Sequence, residues 1–312
     1  MAPILWRFDT WGIWWYKIKV VHTCAHKRAV KGRCNMGFRY SVVLSTQVSS
    51  FDAVAFTGDF EANVADIAQM GYDGVELAIR DPRLVNADAI QRVVGAHGLG
   101  VPAIGTGQAW VEERLSFTDP DPDIRHRAVE RVKSHLPLAK GLGAVVIIGL
   151  LRGIVRPGVS QEQAESWLVD ALRECAEEAS RLGVRFALEP INRYETTLVN
   201  NVAQGLELVD KVGSESFGLL LDTFHMNIEE PSIEDSIRAA GDRIFHFHAA
   251  DSNRWYPGAG HLDFGAILRA LADTGYQGYV SGEFLPLPDA RTAAMKGIEH
   301  LKSVEASIFV TE

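Results

Sequence analysis

Cysteine is scarce in this chain: Cys24, Cys34 and Cys175 are the only three in 312 residues, and two of them fall in the first 36. That number builds no disulfide framework and points to a reducing compartment. No run of eighteen or more apolar residues occurs, so nothing in the sequence reads as a membrane-spanning helix. The first 36 residues also lack the compact apolar stretch and small-residue cleavage site of a secretory signal. A soluble, cytoplasmic protein is the expectation. Basic charge is short where a nucleic-acid reader would need it. Residues 1–36 hold seven Lys/Arg (Arg7, Lys17, Lys19, Lys27, Arg28, Lys31, Arg33) against Asp9 alone, which leaves 24 basic and 39 acidic residues in 37–312. A body this acidic is a poor match for a phosphate backbone, so no nucleic-acid partner is expected.

Residues 1–36 look foreign to the rest of the chain. They carry four of the seven Trp (Trp6, Trp11, Trp14, Trp15) and show no clean period. His22, Cys24, His26 and Cys34 can be drawn as a zinc site, but their spacing fits no standard finger. The segment reads as a poorly ordered extension, or as sequence ahead of a start at Met36.

From Arg39 onward short β-branched runs alternate with helical patterns about every 30 residues, which is the signature of βα units and a parallel sheet. The strands expected are 39–46, 74–79, 101–106, 144–149, 185–189, 217–222, 244–249 and 278–283. Helical patterns lie near 58–70, 86–97, 122–142, 160–182, 200–213, 232–240, 263–273 and 289–307. Glycines at 71, 98, 143, 183, 213, 241 and 275 follow helical patterns where a left-handed C-cap wants them, and Asp263 and Ser232 stand at N-cap positions. Eight units in roughly 270 residues call for a closed (β/α)8 barrel rather than an open sheet, with 37–312 as one domain.

The last four strands share one feature. The run Arg185–Leu188 stops at Glu189 with Pro190 behind it, and Phe217–Leu221 runs into Asp222. Ile244–Phe247 runs into His248, and Gly278–Gly282 runs into Glu283. Strand carboxyl ends are where parallel α/β folds place chemistry, and in a barrel all of them meet at one mouth. Any one of these residues alone reads as a cap or an ion pair. Three carboxylates gathered with an imidazole repel one another unless a cation is present; a divalent ion such as Mn²⁺, Co²⁺ or Mg²⁺ is expected, and without thiolates a structural zinc is not.

The stretches "LEPINRYE", "LDTFHMNIEE", "HFHAADSNRWYPGAGH" and "GEFLPLP" resemble the ketose 3-epimerase family of xylose-isomerase-like barrels, which includes D-tagatose and D-allulose 3-epimerases. With "GVELAIRDP", "AIGTGQAW" and "VVIIGLLRG", the chain looks most similar to the 5-keto-L-gluconate epimerase branch; residues 1–36 have no counterpart there. The resemblance implies a metal-dependent inversion of the carbon beside a carbonyl, through an enediolate stabilised by one divalent ion. It makes Glu189 and Glu283 the acid and base, and gives the metal Glu189, Asp222, His248 and Glu283. It places Glu195 and His225 against substrate oxygens and Arg254 on a hydroxyl, and implies a homo-oligomer, dimer or tetramer.

Three further residues are candidates for substrate contact. Gln108, with Trp110 near it, follows the third strand. Arg80 and Arg152 follow the second and fourth; guanidinium forks suit a carboxylate, so an acidic keto-sugar such as 5-keto-L-gluconate or D-tagaturonate stands beside a neutral ketose. The alternative is that Arg80 pairs with Asp81 or Glu76 and that Arg152 is solvated. His261 is a weaker candidate. Rival readings are a DNA-repair phosphodiesterase, a xylose-type isomerase, a keto-cyclitol dehydratase and a non-catalytic sugar-binding protein. The first needs histidines at early strand ends, and the second a lysine at a strand end; neither is found there.

Overall fold

The computed structural model describes residues 37–47 and 52–308. The expectations for residues 1–36, including the drawn zinc site, lie outside them. In chain order the elements are β1 (Arg39–Ser45), α1 (Phe60–Gln69), β2 (Gly74–Ala78), α2 (Ala87–Ala96), β3 (Ala103–Gly105), α3 (Gln108–Glu113), α4 (Pro122–Leu142), β4 (Val145–Ile148) and α5 (Gln161–Leu182). They continue with β5 (Phe186–Leu188), α6 (Val202–Val212), β6 (Phe217–Asp222), α7 (Thr223–Glu229), α8 (Ile233–Ala240), β7 (Ile244–His248), α9 (Phe264–Asp273), β8 (Tyr279–Gly282) and α10 (Ala290–Ile308). The strands pair in parallel, each with the next, and β8 closes on β1.

Helix starts follow from local chemistry. Asp59, Asn86, Ser160, Asn201, Ser232 and Asp263 each accept a hydrogen bond from the backbone N–H three residues on, which satisfies one of the donors orphaned at a helix N-terminus. Helices α4 and α5 end on Gly143 and Gly183, both in the left-handed region at φ 69° and 70°, where a side chain would be strained. The sequence pattern misses α3 and α7, of six and seven residues. Neither is long enough to show a helical period.

Two cores follow from the barrel's alternation. Outward-facing strand residues such as Val42, Leu77, Ile148 and Phe247 pack against the helices in one continuous apolar layer. Inside, Ala103, Val145, Ile147, Ala187 and Leu220 form a small apolar plug with Phe245 against it. Above the plug the inward positions turn polar. Glu76 lies beside Val43, His246 beside Leu220, and His248 between Asp222 and Ser281.

Candidate active site

Each of the four strand-end residues is aimed by the residue pattern behind it. Asp222 closes β6 and caps α7, its Oδ1 accepting from the Phe224 N–H at 2.7 Å. That leaves Oδ2 buried without a hydrogen-bond partner, as are Glu189 Oε1 and His248 Nδ1. Ligand atoms of Glu189, Asp222, His248 and Glu283 lie within 4.8 Å of one another. His248 Nδ1 stands 3.8 Å from Asp222 Oδ2 and 3.6 Å from Glu283 Oε2. Orphaned buried polar atoms cost several kcal/mol together unless something satisfies them, roughly 1–3 kcal/mol each. A hard divalent cation fits that gap and this donor set.

The electrostatics carry the same sign. Burial raises the Glu189 carboxyl well above its ordinary range, and the charges of Glu283 and Asp222 push it the same way. Burial alone would also raise Asp222, but the neighbouring His248, His225 and Arg254 draw it below its usual value. For His248 burial works against charge, yet Glu76 and Glu283 lift the imidazole well above its ordinary value.

A second ring of residues sits around the cluster. Asn192, nearly fully buried, donates from Nδ2 to Glu195 Oε1 at 2.9 Å and to His225 Nδ1 at 2.8 Å. Because His225 Nδ1 accepts, its proton sits on Nε2, which faces Glu189 Oε1 at 3.5 Å; burial holds the ring below its ordinary pKa and hence neutral. Arg254 donates to Glu195 Oε1 at 3.2 Å, lies 3.7 Å from Glu283 Oε2, and stacks over Phe224 with its guanidinium 4.9 Å from the ring centre. Gln108 is buried, donates to Ser45 Oγ at 2.8 Å, and leaves Oε1 without a partner. Glu189, Glu195, His225, His248, Arg254 and Glu283 share with Gln108 and Glu76 the wall of one cavity.

Two candidates are elsewhere. Arg152 does not reach the cavity. It is fully buried, donating from Nε to Gly149 O at 3.0 Å, from Nη1 to Val199 O at 3.1 Å and Leu198 O at 3.4 Å, and from Nη2 to Glu189 O. Burial lowers its pKa to about 10, against the raising charges of Glu189 and Glu195. Its fork is consumed by carbonyls, so it braces the backbone behind Glu189, and the expectation of a substrate contact is corrected. Arg80 likewise stands outside the cavity wall, its Nε 3.7 Å from Glu113 Oε1. Neither Asp81 nor Glu76 is its partner: Asp81 is held by Arg83 and Arg131. Trp110 packs near Arg156, and His261 bonds Ser252, both off the cavity wall.

Sequence reasoning misses three buried residues. Asn192 lies inside the "LEPINRYE" stretch, but a neutral amide there carries no charge to mark it. Glu76 enters the sequence reading only as a partner for Arg80, though an acid at an inward position of an otherwise apolar strand is a usable signal. Asp251, fully buried, accepts the N–H groups of Ser252 (2.7 Å), Gly258 (2.8 Å) and Leu262 (3.2 Å), folding the loop that carries Arg254; nothing local in the sequence marks it.

The class the fold and site define is a closed parallel (β/α)8 barrel whose mouth gathers three carboxylates and an imidazole that could hold a metal ion. The xylose isomerase-like TIM barrel family model matches residues 64–304. L-ribulose 3-epimerase of Mesorhizobium japonicum is 32% identical over 75% of this chain and 78% of its own length, and D-psicose 3-epimerase of Ruminiclostridium cellulolyticum is 35% identical over 71% and 77%. The crystal structure of D-allulose 3-epimerase from Methylomonas sp. in complex with D-allulose superposes with a TM-score of 0.72 at 25% identity, covering 85% of this chain and 96% of that one. The chain belongs to the xylose isomerase-like TIM-barrel family and, within it, to the ketose 3-epimerases; it is an enzyme of the isomerase class.

Proposed function

We propose that the chain inverts C3 of a neutral ketose, with Glu189 and Glu283 moving the proton. The observation that carries this reading is the convergence of Glu189, Asp222, His248 and Glu283, whose ligand atoms lie within 4.8 Å of one another, with three of their polar atoms buried and orphaned. Glu189, Asp222, His248 and Glu283 would hold one divalent ion, Mn²⁺ first and Co²⁺ or Mg²⁺ as alternatives. Bound there, it would act as a Lewis acid on the ketone and acidify the neighbouring C–H.

The chain's own residues account for the rest. One of the two glutamates removes the proton from C3, breaking the C–H bond and sending its electron pair toward the carbonyl; the other returns a proton to the opposite face. His225 offers Nε2–H to an oxygen beside the reacting carbon, its tautomer set by Asn192. Arg254 and Glu195, joined to each other, present a donor and an acceptor to substrate hydroxyls.

Neutrality of the substrate is supported by where the arginines go. Arg254 is the one Lys or Arg on the described cavity wall, and it already faces Glu195 and Glu283. A sugar carboxylate would have to compete with both. The substrates in the relatives' names, L-ribulose and D-psicose, are neutral. The branch acting on 5-keto-L-gluconate or D-tagaturonate is accordingly the second choice. A cytoplasmic homo-oligomer belongs to the same proposal, and light scattering reads its oligomeric state.

Incubation with D-psicose in D₂O tests the reading. Deuterium should appear at C3 with Mn²⁺ present and cease on adding EDTA. Exchange at C3 that persists after full removal of metal, or dehydration in place of exchange, would overturn it.

A further inference from the structure

We infer that Glu76 is a positioning residue for the cation site: from inside the barrel it fixes which nitrogen His248 presents to the cluster. This rests on the cation reading above. Glu76 projects from β2 with 2% exposure. Its Oε2 meets His246 Nε2 at 2.7 Å, and both oxygens meet His248 Nε2, at 3.0 and 3.1 Å. The two rings stand edge-to-face, 5.3 Å apart at an interplanar angle of 83°.

An ionised carboxylate only accepts hydrogen bonds, so each imidazole turns an N–H at Nε2 toward it. In the neutral ring that a cation ligand must be, that leaves Nδ1 of His248 as the lone-pair nitrogen, and Nδ1 is the atom facing Asp222 and Glu283. With the opposite tautomer, the cluster would meet an N–H where it needs a donor atom. The carboxylate also makes the ring a more basic ligand. His246 completes the device by holding Oε2, so that Glu76 is clamped on one side while it directs His248 on the other.

A purely structural role explains the carboxylate poorly. Its neighbour across the β1–β2 ladder, Val43, fills an equivalent inward position with an apolar side chain. A charge in this interior is costly relative to such a residue, and its hydrogen-bond partners are the two imidazoles.

The test is a titration of Mn²⁺ into the chelator-stripped full chain, followed by the electron paramagnetic resonance signal of free Mn²⁺, for the wild type and Glu76→Gln. The amide keeps the volume but turns an N–H₂ toward one of the two imidazole N–H groups. The expected result is one ion per wild-type chain and an affinity lowered roughly 10–100-fold in the variant, with the melting temperature of the stripped variant no lower than that of the wild type. Equal affinity within about twofold overturns the role of Glu76 while leaving the cation site standing. Absence of Mn²⁺ binding in the wild type overturns both. Should the variant fail to fold, long-range ¹H–¹⁵N spectra of the Mg²⁺-loaded wild type decide: a proton on His248 Nε2 supports the assignment, and a proton on Nδ1 overturns it.

Discussion

Replacing Asp251 by Ala should separate the loop that holds Arg254 from the barrel that holds the cluster. Asp251 is fully buried, and its carboxylate accepts three backbone N–H groups along residues 252–262. Hydrogen bonds to a charged group are worth roughly 1.5–3 kcal/mol each before water replaces the lost partner. Ser252 and Leu262 are only half-buried, so water can reach part of the loop and the net loss should be about 2–3 kcal/mol. For a barrel of about 270 residues, an unfolding entropy near 2.1 cal/mol/K per residue turns that into a fall in melting temperature of roughly 4–5 °C.

The functional loss should be larger in proportion. Arg254 sits at φ 62°, a conformation a non-glycine residue adopts only when its surroundings hold it there. Its N–H donates to Asp251 O at 2.8 Å, and its carbonyl accepts from the Leu285 N–H at 2.9 Å. Released, the guanidinium leaves Glu195 and Glu283, and kcat/KM for D-psicose should fall about 10–100-fold, the usual consequence of a displacement near 1 Å. Burial by itself would raise the Asp251 carboxyl, yet the hydrogen-bonded N–H groups hold it below its ordinary value. A depressed folded-state pKa means stabilisation present above the ordinary value near 4 and lost as pH falls through the folded value. The stability gap between wild type and Asp251→Asn should therefore narrow below about pH 4. A normal melting temperature in Asp251→Ala, or a lowered one with undiminished kcat/KM, would refute the reasoning.

Four other outcomes follow from the same geometry. Glu189→Gln and Glu283→Gln should each cut epimerisation by about 10²–10⁴-fold, read as kcat, while leaving the fold intact. Arg152→Met should cost about 3–5 kcal/mol in denaturant unfolding, because it strands carbonyls now bound to a buried cation. Arg80→Ala, by contrast, should change stability by less than about 1 kcal/mol and leave the preference between D-psicose and D-tagaturonate unmoved. A chain beginning at Met36 should keep the full chain's kcat/KM, since every residue assigned to the site lies in 76–283.

The barrel was legible in the sequence because the strands announce themselves twice, by a short apolar run and by the turn or functional residue that ends it. The four convergent residues could be named because the carboxyl ends of all eight strands of a closed barrel meet at one mouth, so polar side chains at those ends have one place to gather. Legibility failed where a side chain's direction depends on packing. Arg152 stands just beyond β4 and looks free to reach a ligand, yet the carbonyls of Gly149, Glu189, Leu198 and Val199 claim it. Glu76 lies mid-strand, where its position says only that it points inward; that it spans the barrel to β7 requires closure. Asp251 is invisible for a different reason, since its partners are backbone N–H groups that carry no sequence signal.

The central claim is that the side chains at 189, 222, 248 and 283 surround a single divalent ion at the barrel mouth. Anomalous diffraction from crystals soaked in Mn²⁺, collected above and below the manganese edge, tests it most directly. The account predicts one strong difference peak, about 2.1–2.3 Å from an oxygen of Glu189, Asp222 and Glu283 and from Nδ1 of His248. A map with no peak there, or a peak ligated by some other set of residues, would contradict it.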